Sequence, residues 1–283
     1  MIRLTIIIAF YLLAAVCSAS ATITKNVDDL NRVNQQIKID SANPQSSLVI
    51  FDIDDTLLES VNFVGSGKWY DWQRGRVAKD PKGHSFSIEK KDQFHCMFRT
   101  LGTLFEIAST KLTQKNAVDI INQTKPLDFM ILTARTAKFR TATERELKRN
   151  GINLADRHLM PEGTSLDFIF DDERRKDQVT YKNGIVMSSG LNKGKVLKTV
   201  LQKIGKNYQR IYFIDDSLKN LRDMQNEWKK RTEDMVTFHY TKVDKTISQQ
   251  EIQQSISAKL QFDAFLQAAY PDRFEEFKNG QCE

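Results

Sequence analysis

Residues 48–57 read Leu48-Val49-Ile50-Phe51-Asp52-Ile53-Asp54-Asp55-Thr56-Leu57. The four apolar residues at the start predict a strand that is buried on both faces, as in a parallel sheet. Because side chains two positions apart point the same way, we expect Asp52 and Asp54 to share one space at the carboxyl end of this strand. Open α/β sheets bind ligands at that edge. Two crowded carboxylates repel each other unless a cation lies between them or one holds a proton. The stretch therefore indicates a metal site, and a nucleophile beside a general acid.

Three later segments place polar residues at the end of an apolar strand or at the start of a helix. In chain order they are Phe129-Met130-Ile131-Leu132-Thr133-Ala134-Arg135, Asn192-Lys193-Gly194-Lys195 and Ile211-Tyr212-Phe213-Ile214-Asp215-Asp216. Together with residues 48–57, they resemble the four motifs of the haloacid dehalogenase (HAD) superfamily in the family's order. The resemblance covers residues 48–220. It implies an α/β fold in which helices flank a Rossmann-like parallel sheet and a cap insert lies between the first and second motifs.

The resemblance also divides the chain into regions. The core is expected to start within residues 22–58 and the cap insert to occupy residues 59–120. The remainder of the core is expected at residues 121–283, with a small β insert and C-terminal helices docked on the core.

The N-terminus, residues 1–21, predicts a secretory signal peptide. Arg3 precedes an apolar run from Leu4 to Val16, and the small residues Ala19-Ser20-Ala21 follow, which is the usual order of a signal peptide and its cleavage site. A membrane anchor is the alternative, but the run is shorter than the about 20 residues that span a bilayer. We therefore expect an exported protein, periplasmic or secreted, with no stable membrane anchor after cleavage.

Composition and cysteine count restrict the partners. The chain has 42 Lys and Arg residues against 36 Asp and Glu residues, a net charge of +6. A modest positive charge favours anionic substrates, but it is spread along the chain and no nucleic-acid-binding motif accompanies it, so a nucleic-acid partner is not expected. Cys96 and Cys282 remain after removal of residues 1–21. In an oxidising compartment they either form a disulfide or stay as free thiols.

Three local patterns predict secondary structure but contribute no candidate functional residues. Val27, Leu30, Val33 and Ile37 have the spacing of a short helix. The stretch Phe168-Ile169-Phe170-Asp171-Asp172 imitates the fourth motif but precedes the lysine segment, so we interpret it as a strand that enters an acidic turn. Asn183-Gly184 between two apolar runs predicts a hairpin.

The HAD resemblance implies a role for each acid. Asp52 would be the nucleophile that forms an aspartyl-phosphate, and Asp54 would protonate the leaving group and then activate water. An acid at this second position indicates a phosphatase or a related phosphotransferase rather than a dehalogenase. The expected cofactor is Mg²⁺, which prefers oxygen ligands. Its ligands would be Asp52, the backbone carbonyl of Asp54, and Asp216, with Asp215 as a ligand through water or as a structural partner.

The second and third motifs would bind phosphate and balance its charge. The Thr133 hydroxyl and the backbone N–H groups of Ala134 and Arg135 could hold phosphate oxygens, although Thr133 could also be a simple helix N-cap. Lys193 fits the family's Asn-Lys-Gly pattern better, and Lys195, at the same helix entry, is the alternative.

Two tryptophans narrow the resemblance. The N-terminal segment, the Asp-x-Asp-Asp-Thr motif, and Trp69 and Trp72 are similar to features of secreted class C acid phosphatases, which act on phosphomonoesters that include nucleoside monophosphates. Trp69 and Trp72 would then bind substrate by stacking on a base, or would pack inside the cap. The chain departs from that family after the fourth motif, and Asp215 replaces the more usual glycine. The substrate of that family therefore cannot be assigned to this chain.

These observations predict a secreted Mg²⁺-dependent phosphatase that hydrolyses small phosphomonoesters through an aspartyl-phosphate. One alternative is a phosphotransferase that passes the same phosphoryl group to an alcohol. The other is a catalytically silent, secreted interaction protein with a HAD fold, although such a protein has no need of a general acid.

Overall fold

The computed structural model describes residues 23–40, 46–229, 231 and 233–282. The predicted signal peptide, residues 1–21, lies outside these ranges. The strands are β1 Ile23–Val27, β2 Ser47–Phe51, β3 Leu58–Ser60, β4 Ala78–Lys79, β5 Ser85–Phe86, β6 Thr110–Leu112, β7 Asp128–Thr133, β8 Ser165–Asp171, β9 Lys176–Lys182, β10 Ile185–Met187, β11 Arg210–Asp215 and β12 Asp234–Tyr240. The helices are α1 Leu30–Asp40, α2 Gly67–Gln73, α3 Met97–Ile107, α4 Ala117–Gln123, α5 Arg140–Arg149, α6 Lys193–Lys203, α7 Leu218–Trp228, α8 Gln249–Ala269 and α9 Pro271–Lys278.

A central sheet of eight strands organises the chain, in the order β1-β12-β11-β2-β7-β10-β9-β8. The pairs from β1 through β10 are parallel, and β9 and β8 extend the sheet antiparallel. The expected α/β class, with a largely parallel sheet flanked by helices, is therefore confirmed. The three central strands β11, β2 and β7 belong to the fourth, first and second of the sequence motifs.

Alternation along β2 divides the interior into two layers. Val49 and Phe51 pack on one side with residues of α1, α4 and α5, whereas Leu48 and Ile50 pack on the other side with residues of α6 and α7. Every residue of β2 is buried, as expected for a strand covered on both faces. Because both faces are filled by side chains, polar groups at the strand's carboxyl end are held in place from both sides.

The segment of residues 61–109, between β3 and β6, has a core of its own. Trp69, Trp72 and Phe94 are buried there together with Ile252 of α8. The C-terminal helices were expected to dock on the main core, but they pack against this segment instead. A disulfide between Cys96 and Cys282 joins the two parts across 186 residues, with an S–S distance of 2.07 Å. Pairing is therefore the correct one of the two cysteine alternatives.

Two boundaries differ from the sequence predictions. Val27 ends β1 rather than starting a helix, because residues 23–27 pair in parallel with β12 at the sheet edge; the helix proper begins at Leu30. At the other end of the predicted 59–120 insert, α4 packs into the main core through Ala117 and Ile120. The part that leaves the core is therefore shorter than predicted.

The predicted hairpin is present. β9 and β10 pair across Asn183 and Gly184, whose φ values of 52° and 76° are those of a tight hairpin turn. Asp172 follows β8 in a turn, where its carboxylate accepts hydrogen bonds from the backbone N–H groups of Arg174, Arg175 and Asn192. As predicted, the strand ends at Asp171 and enters an acidic turn. None of the helices in the described ranges combines the length and the hydropathy that a bilayer span requires.

These hydrogen bonds make the stability of the fold depend on Asp172. Burial opposes the charge of Asp172, but the ion pair with Arg174 and the three N–H donors outweigh it and lower the pKa from 3.8 to about 2. Since the pKa is depressed in the folded state, the stabilisation is present above about pH 4 and is lost as the pH falls toward 2. We expect Asp172→Asn to lower the free energy of unfolding by about 2 kcal/mol at pH 7.

Urea denaturation at pH 7 and at lower pH measures this difference. The difference in the free energy of unfolding between wild type and Asp172→Asn should decrease as the pH is lowered. Asp171→Asn is the matched control, since that neighbouring side chain is about half exposed and should change stability by less than about 0.5 kcal/mol. A difference in the free energy of unfolding that does not change with pH would contradict the assigned role of the Asp172 charge.

Candidate metal and phosphate site

Three adjacent strands bring the predicted site residues to one edge of the sheet. Asp52 directly follows β2, Thr133 ends β7 and Asp215 ends β11. The strands are in parallel register, with Phe51 beside both Ile131 and Ile214, and the Asp52 N–H donates to the Ile214 carbonyl at 2.9 Å. The structure therefore brings these three predicted site residues to the same edge of the sheet.

Lys193 occupies the centre of this edge. It is the first residue of α6, and its Nζ lies 2.6 Å from Asp52 Oδ1 and 2.7 Å from Asp215 Oδ2. Its side chain is 1 % exposed. The other predicted lysine, Lys195, forms an ion pair with Glu173 at 2.8 Å. Of the two alternatives, the structure thus brings Lys193 to the carboxylates, since α6 turns Lys195 toward a different partner.

Asp52, Asp215 and Asp216 form a cluster that could hold a metal ion. Each offers one carboxylate oxygen, and these oxygens all lie within 4.8 Å of one another. Such a set of hard oxygen donors is the kind that Mg²⁺ or Ca²⁺ prefers. Asp215 also accepts hydrogen bonds from the Ser217 N–H and the Asn220 side chain. Asn220 thus fixes the orientation of Asp215.

Burial makes the charges of this cluster costly. Desolvation raises the pKa of Asp52 well above its usual range, although the Lys193 ammonium acts in the opposite direction. Desolvation also raises the pKa of Asp216 to about 7, against the effect of Lys245. Carboxylates that are hard to ionise when buried are stabilised by additional positive charge. The residues present therefore fit a bound cation.

Asp54, the predicted general acid, is held by an arginine. The Arg135 guanidinium donates through Nε and Nη2 to both oxygens of Asp54, at 3.0 and 2.7 Å. Arg135 also donates to Thr143 Oγ1 and lies 4.1 Å from the centre of the Phe105 ring, which belongs to the 61–109 segment. The side chain of Asp54 is 44 % exposed and that of Arg135 is 3 % exposed. A buried cation covered by the 61–109 segment therefore orients an accessible carboxylate.

Thr133, the last residue of β7, is not the N-cap of a helix. Thr133 is fully buried, and its Oγ1 accepts a hydrogen bond from the Arg135 N–H at 3.2 Å. The next helical turn begins at Ala137, too far along the chain for Thr133 to be its N-cap. The Arg135 N–H, predicted to hold phosphate, is thus bonded to Thr133 here, while Ala134 is exposed.

Trp69 and Trp72 lie away from this edge. They are 0 % and 2 % exposed, and the Trp69 indole N–H donates to Ser255 Oγ at 2.8 Å. The prediction that they bind substrate is wrong, because neither ring presents a free face to a base. Their spacing reflects the core between α2 and α8, which was the packing alternative.

Three functional candidates were missed from the sequence. Lys245, in the loop after β12, contacts Asp55 and lies 2.9 Å from Asp216 Oδ2. Thr56 is fully buried, and its Oγ1 accepts a hydrogen bond from the Asp216 N–H at 3.0 Å. Asp55 and Thr56 stand in the quoted motif, so the signal was present. Lys245 has no such signal, since it lies 29 residues beyond Asp216 with no pattern around it.

A cavity opens beside these groups. It lies between the sheet edge and the 61–109 segment, and the residues that shape it include Asp54, Asp55, Arg135, Gly67, Leu104 and Phe105. A Cβ atom at Gly67 would lie 2.1 Å from Asp55 Oδ2. Only glycine therefore lets the backbone of the 61–109 segment approach the acidic edge this closely.

Comparison with known proteins gives a family without an assigned activity. No curated protein and no solved structure matches the chain. A family model described as "Protein of unknown function (DUF2608)" matches residues 24–270. Because this match covers most of the sequence, the chain belongs to the DUF2608 family.

Proposed function

We propose that the protein is an exported HAD-type phosphatase that hydrolyses small phosphomonoesters through an aspartyl-phosphate on Asp52. The observation that carries this proposal is the position of Lys193, buried between Asp52 and Asp215 at the carboxyl ends of three parallel strands. A phosphoryl-transfer site needs a nucleophile and fixed positive charge close together. In this reading the 61–109 segment is the cap.

In the proposed reaction, an oxygen of Asp52 attacks the phosphorus atom, and the bond from phosphorus to the leaving oxygen breaks. Lys193 offsets the charge shared by Asp52 and the phosphoryl group. Asp54 donates a proton to the leaving oxygen and then accepts one from the water that cleaves the aspartyl-phosphate. A phosphate ester would compete for the Arg135 guanidinium, which would release Asp54 for these proton transfers.

The proposed cofactor is Mg²⁺. Asp52 and Asp216 would hold it, with Asp215 beside them and the Asp54 backbone carbonyl as a predicted further ligand. A bound divalent cation supplies positive charge that stabilises the transferring phosphoryl group. The oxygen-only donor set supports this choice.

Three other features bear on the proposed substrate and compartment. The cavity at Asp54 is bordered by Leu104 and Phe105, so an apolar part of a leaving group would contact these side chains. Since Trp69 and Trp72 are buried, they give no support for nucleoside monophosphates over other phosphomonoesters. The Cys96–Cys282 disulfide supports an oxidising compartment, periplasmic or extracellular.

Asp54→Asn tests the proposed acid. The variant should keep its affinity for Mg²⁺, because only the backbone carbonyl of this residue is expected to bind metal. The turnover rate should fall by roughly 10²–10⁴, the usual contribution of a positioned acid–base group. The loss should be smaller for aryl phosphates than for alkyl phosphates, since a good leaving group needs less protonation. Equal losses for both would argue against the role.

Release of phosphate from a generic aryl phosphate, with and without Mg²⁺, tests the proposal as a whole. We expect release by the wild type that requires Mg²⁺. Aryl alcohol formed in excess of free phosphate, when a second alcohol is added, would favour the phosphotransferase. Binding of Mg²⁺ without any turnover across aryl and alkyl phosphates would favour the catalytically silent interaction protein.

A further inference from the structure

Lys245 is a cation at the acidic edge that the proposed reaction does not use. It contacts Asp55 and lies 2.9 Å from Asp216 Oδ2, and its own side chain is 44 % exposed. Asp55 likewise has no step in the reaction, yet it is 6 % exposed and has a left-handed backbone with φ of 59°. A buried carboxylate is strongly destabilising without a counter-ion. Lys245 thus neutralises an acid that the site does not use chemically.

The loop that carries Lys245 is anchored by the two residues that follow it. The Ile247 N–H donates to the Lys79 carbonyl at 2.8 Å, and Ile247 is 1 % exposed. Lys68 Nζ, from α2, donates to the Thr246 carbonyl at 3.0 Å. Both partners belong to the 61–109 segment. The backbone that directly follows Lys245 is therefore held, and the ammonium group has a defined place at the acidic edge.

The charges at this edge nearly balance. The carboxylates are Asp52, Asp54, Asp55, Asp215 and Asp216, and each lies in an ion pair or in the metal-binding cluster. The cations are Lys193, Arg135 and Lys245. Counted with every group ionised, the five carboxylates and three cations have a net charge of −2, which a single divalent cation neutralises. Without Lys245 the net charge would be −3.

Asp216 links Lys245 to the metal cluster. One Asp216 oxygen lies within 4.8 Å of oxygens of Asp52 and Asp215, while Asp216 Oδ2 is bonded to Lys245. A cation in the cluster and the Lys245 ammonium therefore share one carboxylate and repel each other at short range. We infer that Lys245 is a positioning residue that limits how tightly the acidic site binds its metal and makes the site suited to a divalent rather than a trivalent cation. This inference rests on the proposed function, because it assumes that the cluster binds metal.

Calorimetric titration with Mg²⁺ alone, and separately with Tb³⁺ alone, tests the inference without any substrate. Lys245→Met removes the charge but keeps most of the aliphatic chain. We expect it to bind Mg²⁺ at least about tenfold more tightly than the wild type. Its affinity for Tb³⁺ should increase by a larger factor than its affinity for Mg²⁺. Lys242→Met, in the same loop, is the matched control. Lys242 forms no ion pair with the five carboxylates of the described edge, so its loss should change either affinity by less than about twofold.

Two further variants keep the test valid if Lys245→Met fails to fold. Asp55→Asn lowers the net negative charge and should weaken Mg²⁺ binding about tenfold. The double variant Asp55→Asn with Lys245→Met removes both members of the pair, restores the net charge of −2, and should bind Mg²⁺ within about threefold of wild type. A double variant that still shows the loss seen in Asp55→Asn would contradict the charge-balance argument.

The outcomes distinguish the inference from the proposed function. Unchanged or weaker Mg²⁺ binding by a folded Lys245→Met variant, with measurable binding by the wild type, would overturn the role of Lys245 and leave the phosphatase proposal intact. Failure of both proteins to bind Mg²⁺ would overturn the metal site itself, and with it both proposals.

Discussion

Replacement of Asp52 by asparagine is expected to lower the rate of phosphate release at least about a thousandfold, because an amide is a poor nucleophile and the loss of this step costs several kcal/mol of transition-state stabilisation. The geometry supports so large an effect. Asp52 lies against the buried Lys193 ammonium at 2.6 Å, so a substitute nucleophile would have to occupy the same restricted position. The turnover number for an aryl phosphate, measured at saturating Mg²⁺, checks this expectation.

The fold should survive this change. Asparagine has nearly the shape of aspartate, and Lys193 keeps its second partner, Asp215, at 2.7 Å. Burial disfavours a charged Asp52, so a neutral side chain at this position is tolerable. Thermal unfolding of the variant should therefore be cooperative, with a midpoint close to that of wild type. Near-normal turnover by a folded Asp52→Asn protein would exclude the covalent mechanism.

Lys193→Ala is expected to reduce turnover by about a thousandfold or more, since among the described residues no other cationic side chain is paired with Asp52. It should also destabilise the protein, because removal of one member of a buried ion pair leaves uncompensated charge and typically costs about 3–5 kcal/mol. Initial rates and urea unfolding of the same preparation separate the two effects.

Lys195→Ala is the matched control for this experiment. Lys195 lies two positions further along α6, and its partner Glu173 is 84 % exposed. Exposed pairs of this kind contribute about 0–1 kcal/mol, so both turnover and stability should change little. The reverse pattern, with Lys195→Ala inactive and Lys193→Ala active, would assign the functional role to Lys195 instead of Lys193.

Several features of the fold and site were predictable because they depend on local sequence. The apolar run of residues 48–51 is a buried central strand, and Asp52 stands where such a strand ends. Lys193 follows Asn192, whose side chain caps α6, so the position of the lysine at a helix start was visible in the pattern. The motifs placed polar residues at the ends of three apolar segments, and the structure sets the corresponding strands β11, β2 and β7 side by side.

Features that depend on distant contacts were not predictable. The helical spacing of Trp69 and Trp72 indicates one buried face, but it does not say whether a ligand or α8 covers that face. Likewise, no local pattern reveals that Lys245 reaches Asp55. The strand at residues 23–27 exists because β12 offers it a partner, which only the assembled sheet supplies.

Chemical trapping of the intermediate tests the central claim most directly. Borohydride added during turnover of a phosphomonoester with Mg²⁺ reduces an aspartyl-phosphate to homoserine, and mass spectrometry of the digested protein locates the modified residue. We expect homoserine at position 52 in the wild type, dependent on substrate, and none in Asp52→Asn. An unmodified Asp52 in a preparation that releases phosphate, or modification at another acid, would contradict it.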